Sequence, residues 1–321
     1  MLIPSVTGPV DTADLGATLM HEHVVNLDFH MCNAFADWFD REAVLDQFAG
    51  EAARAKSHGV RTLLDCTPIN LGRDIHLLRD AALRADIRLL AATGLYHQED
   101  PWIAYEVEPD YLAEFYLRDI HEGIQGTGIR PAIIKCATDV VWGMSDINRL
   151  LLQAAAIACT ESGTPIYTHS ASKNRSGLYQ QDVLIGANGV PPHKIVIGHA
   201  FDWCDYGYIA ELLKRGTYVG CDRVGLAGET PTEDLARCVA HFCKEGYAEQ
   251  IMLSHDSSIA SDYALSFTRT RRDRAVNPCT GSYYAVFEEL IPRLLALGVT
   301  QAQIHTMTVE NPRRYFEGAP L

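Results

Sequence analysis

The chain carries eight short apolar or β-branched segments, with stretches of amphipathic-helix spacing between them. The segments are residues 17–23, 60–67, 87–94, 131–138, 164–170, 194–200, 217–222 and 250–256. Two helical faces are clear: Val44, Leu45, Phe48, Ala52 and Ala55 within 41–57, and Ile147, Leu150, Leu151, Ala154, Ala155 and Ala158 within 145–161. Eight buried strands alternating with helices predict an α/β fold, a (β/α)8 TIM barrel.

A doubly wound sheet also alternates strands with helices, but eight units without a glycine-rich phosphate loop fit that fold less well. Residues 1–16 precede the first barrel strand, and we expect them to form a small hairpin over the barrel floor. No linker or repeat divides the sequence, so residues 1–321 are expected to form one domain. The stretch 257–281 has no clear period, which predicts a long functional loop.

Composition narrows the partners and the compartment. A formal net charge of −14 disfavours nucleic acid and anionic membranes, because both require a positive surface. No apolar run approaches membrane-spanning length, and the N-terminus lacks the features of a secretory signal. The nine cysteines include no CxxC pair, which argues against a disulfide framework and a thiolate zinc motif. We therefore expect a cytoplasmic protein with reduced thiols.

Ionisable residues recur at the carboxyl ends of five predicted strands. These residues are His21, His23, Lys135, His169, His199 and Asp256. Active sites of TIM barrels are built at this face, so the six side chains should converge. His21 and His23 are two positions apart and share one side of a strand, while Glu22 points to the other.

Each of these features taken alone has an ordinary structural explanation. A His-x-His pair can be incidental, a lysine can extend its amine to the surface, and a strand-end aspartate often caps the next helix. Their joint occurrence at equivalent strand ends favours a metal site. Four imidazoles and a carboxylate suit zinc, with cobalt, iron or manganese as alternatives.

Six protein ligands exceed one four-coordinate site but suit two divalent ions about 3.5–4 Å apart. Two dications need a bridging anion, and the neutral amine of a buried lysine can become one by adding carbon dioxide. Lys135 would then be N6-carboxylated, and hydroxide would supply the other bridge.

The ordered segments TLMHEH, IIKCATD, YTHS, GHAFD and MLSHD resemble the phosphotriesterase family of the amidohydrolase superfamily. VTGPV, AATGLY, HEGIQGT, CDRVGL and VENPRRYF extend the resemblance over nearly the whole chain. The resemblance implies that His21, His23 and Asp256 hold a buried ion, His169 and His199 an exposed ion, and that carboxylated Lys135 bridges them. It also implies that Asp256 shuttles a proton and that the protein is a homodimer.

Within this family, phosphotriesterase-like lactonases carry a tyrosine after the third strand and an arginine after the seventh, and Tyr96 and Arg223 match these positions. Tyr96 would donate to a lactone oxygen and Arg223 would steady the pocket loops. Alternatively, Tyr96 merely packs and Arg223 pairs with an acid such as Asp222. Further residues expected near the pocket are His97, Trp142 and Trp203, of which Trp203 could instead pack in the core.

The 257–281 loop departs from the lactonase pattern and carries the closely spaced Arg269, Arg271, Arg272 and Arg274. These arginines suit a solvated surface or a dimer contact better than a clamp for an anionic substrate.

The resulting function hypothesis is hydrolysis of a lactone, such as an N-acyl-homoserine lactone (quorum quenching), with weak phosphotriesterase side activity. The alternative is hydrolysis of another ester, an amide such as an N-acyl amino acid, or an organophosphate. A non-catalytic barrel scaffold is the distant alternative.

Overall fold

Short strands alternate with helices along the chain in the structure, a computed structural model that describes residues 1–96, 107–139, 145–226, 228–262 and 282–321. The strands are β1 (Leu2–Ile3), β2 (Val10–Asp11), β3 (Ala17–Asn26), β4 (Val60–Asp65), β5 (Arg88–Leu90), β6 (Ala92–Gly94), β7 (Ile133–Ala137), β8 (Ile166–His169), β9 (Ile195–Ile197), β10 (Tyr218–Cys221), β11 (Ile251–Leu253) and β12 (Ser257–Ser261). The α-helices are α1 (Phe29–Ala34), α2 (Arg41–Ser57), α3 (Ile75–Ala85), α4 (Pro109–Glu122), α5 (Asp146–Ser162), α6 (Ser176–Gln181), α7 (Tyr206–Lys214), α8 (Thr232–Lys244), α9 (Ile291–Ala296), α10 (Gln301–His305) and α11 (Asn311–Glu317).

All eight predicted segments contain strands, and these strands form two parallel sheets. One sheet has the order β12-β3-β4-β5 and the other the order β6-β7-β8-β9-β10-β11. A single residue, Ala91, separates β5 from β6, and residues 254–256 separate β11 from β12. The prediction of an α/β fold with parallel strands is confirmed, and so is the N-terminal hairpin, in which β1 pairs antiparallel with β2.

The prediction that residues 257–281 form one loop is wrong at its start. Residues 257–261 form β12, which pairs with β3 and places Ser257 opposite Glu22 and Ser258 opposite His23. This pairing also carries β3 three residues beyond His23, so the two histidines lie inside the strand rather than at its end. SSIAS escaped prediction because small polar residues give a weak strand pattern. The arginines 269–274 lie outside the described residues.

The predicted helical faces pack in the core. In α2, Val44, Leu45, Phe48, Ala52 and Ala55 are all buried, as predicted. In α5 the buried face is slightly rotated, because Leu152 is buried whereas Ile147 and Leu150 are only half-buried. Asp40 and Ser145 begin these helices by accepting hydrogen bonds from the main-chain N–H groups of Ala43 and Asn148.

A separate apolar cluster joins the N-terminal hairpin to the strands. Ile3 and Val10 of the hairpin belong to it with strand residues such as Leu64, Ile133 and Val196. Tyr315 and Phe316 of α11 complete this cluster.

The eight cysteines of the described chain are free thiols. Among the described helices, none is both long and apolar enough to cross a membrane.

Candidate metal centre

The six residues singled out from the sequence come from five strands of the two parallel sheets, or from the turns that follow those strands. His21 and His23 belong to β3, Lys135 to β7 and His169 to the last position of β8. His199 follows β9, and Asp256 lies between β11 and β12. The histidines and Lys135 are buried, and the Asp256 side chain is 13% exposed. The structure therefore brings residues that are far apart in sequence to one place.

The carboxylate of Asp256 lies at the middle of this cluster. Its Oδ1 is 3.1 Å from His23 Nε2 and 3.5 Å from His21 Nε2. Its Oδ2 is 3.7 Å from His199 Nε2. Lys135 Nζ lies 2.9 Å from His21 Nε2. The ring of His169 contacts that of His199, with a centroid distance of 4.5 Å.

Hydrogen bonds fix the orientation of three imidazoles. His21 Nδ1 lies 2.9 Å from Asp222 Oδ2, and His199 Nδ1 lies 3.0 Å from Asp222 Oδ1. His23 Nδ1 lies 2.8 Å from the hydroxyl of Thr67, whose proton is donated to the Val25 carbonyl. Each Nδ1 therefore donates outward, and each Nε2 keeps its lone pair toward Asp256.

The sequence did not predict that Asp222 orients both His21 and His199. The signal was its position, since Asp222 ends the seventh predicted strand just as Asp256 ends the eighth. Asp222 is buried and also accepts a hydrogen bond from the Tyr167 hydroxyl, at 2.8 Å. The alternative that Arg223 pairs with an acid is confirmed, but its partners among the described residues are Asp256, Asp202 and Glu229 rather than Asp222.

Arg223 instead contacts Asp256 itself. Its Nε donates to Asp256 Oδ2 at 2.9 Å, and its Nη1 donates to Asp202 Oδ2 at 2.7 Å. Glu229 lies 3.6 Å from the same Nη1. Burial raises the pKa of Asp202 to about 6, although Arg223 and His199 act in the opposite direction.

Tyr96 lies beside His169, the fourth imidazole of the candidate ligand set. Its hydroxyl is 3.0 Å from His169 Nδ1, and His169 Nε2 is 3.1 Å from Asp139 Oδ2. Asp139 was not foreseen, because it follows β7 in a stretch without a clear pattern.

Comparison with known proteins places these residues in a family. The family model described as the phosphotriesterase family matches residues 1–316. The chain belongs to the phosphotriesterase family. It is 37% identical over 319 residues to a phosphotriesterase homology protein of Mycobacterium tuberculosis, covering 97% of this chain and 96% of that one.

Two further relatives carry more specific names. An aryldialkylphosphatase of Saccharolobus solfataricus is 33% identical over 318 residues, covering 98% of this chain and all of the relative. An N-acetyltaurine hydrolase of Salmo salar is 23% identical over 356 residues, covering 98% and 97%. Proteins of the phosphotriesterase family depend on metal ions, and membership of this family indicates that the chain is a hydrolase.

In this phosphotriesterase-family site, burial and neighbouring charges favour the protonation states in which histidine and aspartate side chains bind metal ions. Burial, together with Lys135, lowers the pKa of His21 to about 3, and burial lowers the pKa of His169 well below its usual value. Burial alone would raise the pKa of Asp256, but His21, His199 and Arg223 outweigh it and hold that pKa well below its usual range. At neutral pH the imidazoles of His21 and His169 are therefore neutral and the Asp256 carboxylate is charged, as metal binding requires.

These residues fit a metal ion through a buried nitrogen without a partner and through a compact group of donor atoms. Within the described residues, His199 Nε2 is buried without a hydrogen-bond partner. Lys135 Nζ, also buried, has no carboxylate within 4.0 Å among the described ion pairs. His21, His23 and Asp256 form a ligand group whose donor atoms all lie within 4.8 Å of one another.

A cavity of about 250 Å³ opens onto this cluster. It is lined by His21, His23, Asn26, Leu71, Tyr96, Lys135, His169, Arg223, Leu226, Glu229, Asp256, Ser258 and Ser261. A second cavity shares His169, Arg223 and Glu229 with it and is lined by Trp203. Trp203 is 62% exposed, so the alternative that it packs in the core is wrong. His97 and Trp142 lie outside the described residues.

Proposed function

We propose that the chain is a binuclear metal-dependent hydrolase that opens lactones, such as N-acyl-homoserine lactones. The observation that carries this proposal is the approach of three oriented imidazoles to the Asp256 carboxylate. Zinc is the first candidate ion, with cobalt, iron or manganese as alternatives.

We propose that the two sheets form one closed eight-stranded barrel. The chain passes from β5 to β6 through one residue and from β11 to β12 through three, so both sheet edges are joined by short connections. Asp256 N–H donates to the His21 carbonyl across the second junction, at 2.9 Å. We propose one barrel domain over 1–321, acting as a cytoplasmic homodimer.

The six candidate ligands are divided between two ions. His21, His23 and Asp256 are proposed to hold the buried ion, and His169 and His199 the exposed ion. Supporting this division, the donor atoms of His21, His23 and Asp256 lie within 4.8 Å of one another, whereas His169 also lines the second cavity.

Lys135 is proposed to bridge the ions as its carbamate. A buried ammonium without a carboxylate partner is costly, whereas its neutral amine can attack carbon dioxide. One N–C bond forms as one C=O π bond of carbon dioxide breaks, the nitrogen releases a proton to solvent, and the product is an anion with two oxygen ligands. The burial of Lys135 beside His21 supports this modification.

Protein groups complete the chemistry. Bound divalent ions would supply an acidified water and polarise the substrate carbonyl or phosphoryl oxygen. Asp256 takes a proton from the nucleophile at a carboxylate oxygen and delivers it to the leaving oxygen. Arg223 holds that carboxylate through its Nε. Tyr96, which lines the same cavity, donates a hydrogen bond to the lactone.

The test compares kcat/KM for lactones, aryl esters, N-acyl amino acids and paraoxon, with zinc- and cobalt-loaded protein. We expect the highest values for lactones and weak activity on paraoxon. Lactones that trail another class by orders of magnitude would reject the lactone assignment. Less than one divalent ion per chain, with no hydrolysis after metal addition, would favour a scaffold.

A second candidate is hydrolysis of an N-acyl amide. One relative is named an N-acetyltaurine hydrolase, and its similarity extends over 98% of this chain. The same substrate panel separates this candidate from the first.

A further inference from the structure

Glu22 lies between the two candidate ligands of β3, yet its carboxylate belongs to a different set of contacts. It is buried, and its Oε1 accepts hydrogen bonds from Ser254 Oγ at 2.8 Å, from His255 N at 3.1 Å and from His255 Nδ1 at 2.6 Å. Its Oε2 accepts from Ser257 N at 3.1 Å. All four partners donate, so this position requires a carboxylate rather than an amide.

These contacts flank Asp256 on both sides. Asp256 has a φ of +53°, in the left-handed region that residues other than glycine rarely adopt. His255 N and Ser257 N, the main-chain donors immediately before and after it, both bind the Glu22 carboxylate. Glu22 thus holds the two ends of the turn that carries Asp256, while Asp256 N–H is held by the His21 carbonyl.

His255 secures this arrangement from the opposite side. Its Nε2 accepts the N–H of Val286, at 3.0 Å, at the start of the helical turn Val286–Leu290. Because Nε2 is an acceptor, Nδ1 carries the proton that His255 donates to Glu22. Both ring nitrogens of His255 therefore bond to groups outside the ligand cluster, which leaves His255 out of the proposed ligand set although it adjoins Asp256.

We propose that Glu22 and His255 are positioning residues that hold Asp256 in its left-handed conformation and aim its carboxylate at His21, His23 and His199. This inference rests on the proposed metal centre. Neither residue lines the two cavities at the centre, and both act through the backbone of Asp256.

Glu22→Gln is the direct test. The amide keeps the size of the side chain, but its NH₂ group then faces a hydrogen-bond donor and cannot accept from it. We expect zinc loss to a chelator to become at least about tenfold faster, the range found when groups supporting metal ligands are removed. We also expect kcat to fall at least about tenfold while KM changes less than about threefold. Inductively coupled plasma mass spectrometry and stopped-flow chelation provide readouts that do not depend on a substrate.

Asp119→Asn is the matched control. Asp119 is another largely buried carboxylate, and it accepts from Arg73 and from Thr93 away from the centre. The Asp119→Asn substitution should lower the Tm of the metal-free protein without accelerating zinc loss. Equal zinc loss in both variants, or wild-type zinc retention in Glu22→Gln, would overturn the positioning role.

His255→Asn and His255→Leu decide the matter if Glu22→Gln does not fold. The asparagine side chain retains an N–H donor toward Glu22, so its zinc loss should be closer to wild type than that of the leucine variant. Identical rates for the two variants would contradict the inference. If the wild-type protein binds no divalent ion, the metal centre itself is overturned. If wild type and Glu22→Gln both bind the metal and lose it to the chelator at the same rate, only the positioning role is overturned.

Discussion

At the scale of single residues, the orientation of the imidazoles depends on acceptors outside the ligand set. Asp222 serves His21 and His199 together, whereas Thr67 serves His23 alone. An imidazole whose Nδ1 donates to a carboxylate is a stronger base at Nε2 and is fixed in one tautomer. Asp222 therefore controls the lone pairs of two candidate ligands at once.

Asp222→Asn should lower both metal affinity and kcat/KM by about 10- to 100-fold. The amide has one acceptor oxygen for two imidazole donors, so one histidine loses its partner. Metal titration with parallel kinetics measures the effect. The matched control is Tyr167→Phe, which removes only the hydroxyl that donates to Asp222 and should cost less than tenfold. An Asp222→Asn variant with wild-type affinity would refute this account.

Lys135→Ala should lose bound metal and activity, because the proposed bridge disappears. Added short carboxylates such as acetate or propionate should restore part of both, since they can occupy the vacated space as anions. Metal content and initial rates with and without the carboxylate are the measurements. Full activity of Lys135→Ala in the absence of carboxylate is incompatible with a bridging role.

At the scale of secondary-structure elements, the sequence predicted those strands and helices whose buried residues recur at a regular spacing. Apolar strands such as β7 and helical faces such as that of α2 were predicted because the core demands apolar residues at fixed spacing. β12 was not, because its short polar residues are buried by pairing and hydrogen bonds rather than by apolar character. Asp222 and Asp139 were missed for a related reason: a strand-end acid looks the same whether it caps a helix or orients a histidine.

Close contact between β6 and β7 depends on Gly94. It has a φ of +107°, and a Cβ there would lie 1.9 Å from the Lys135 carbonyl oxygen. Gly94→Ala should therefore reduce the free energy of unfolding by at least about 2 kcal/mol, through strain and strand separation. Urea unfolding of the metal-free protein measures this.

Gly50→Ala provides the control for that substitution. Gly50 lies within α2, and a Cβ there meets nothing within 4 Å. Alanine should be neutral or stabilise the protein by up to about 1 kcal/mol. If both variants unfold at the same urea concentration as the wild type, the close packing of β6 on β7 does not contribute to stability as we expect.

At the scale of the whole molecule, the candidate ligands are drawn from both sheets. His21 and His23 belong to the sheet that contains β12, and Lys135 and His169 to the sheet that contains β11. Ions bound between them would join the two sheets and would bind only the folded chain. Convergence of this kind was predictable from the strand order of a barrel, but the contacts of Arg223 with Asp202 and Asp256 were not, because they depend on loop conformation.

Removal of metal should consequently destabilise the entire protein. A ligand at 100 times its Kd stabilises the folded state by about 2.7 kcal/mol per site, so chelation should lower Tm by several degrees. Differential scanning calorimetry before and after chelator, and after zinc or cobalt is restored, tests this. A Tm that is independent of metal would show that the ions contribute nothing to folding.

The sharing of Asp222 has one more consequence. Under the proposed assignment, His21 serves the buried ion and His199 the exposed ion, so one carboxylate spans both sites. Hydrogen bonds to this carboxylate already fix both rings, so neither ion has to order its histidine when it binds. A change in the position or charge of Asp222 would therefore reach both sites at once, and the affinities for the two ions should fall together.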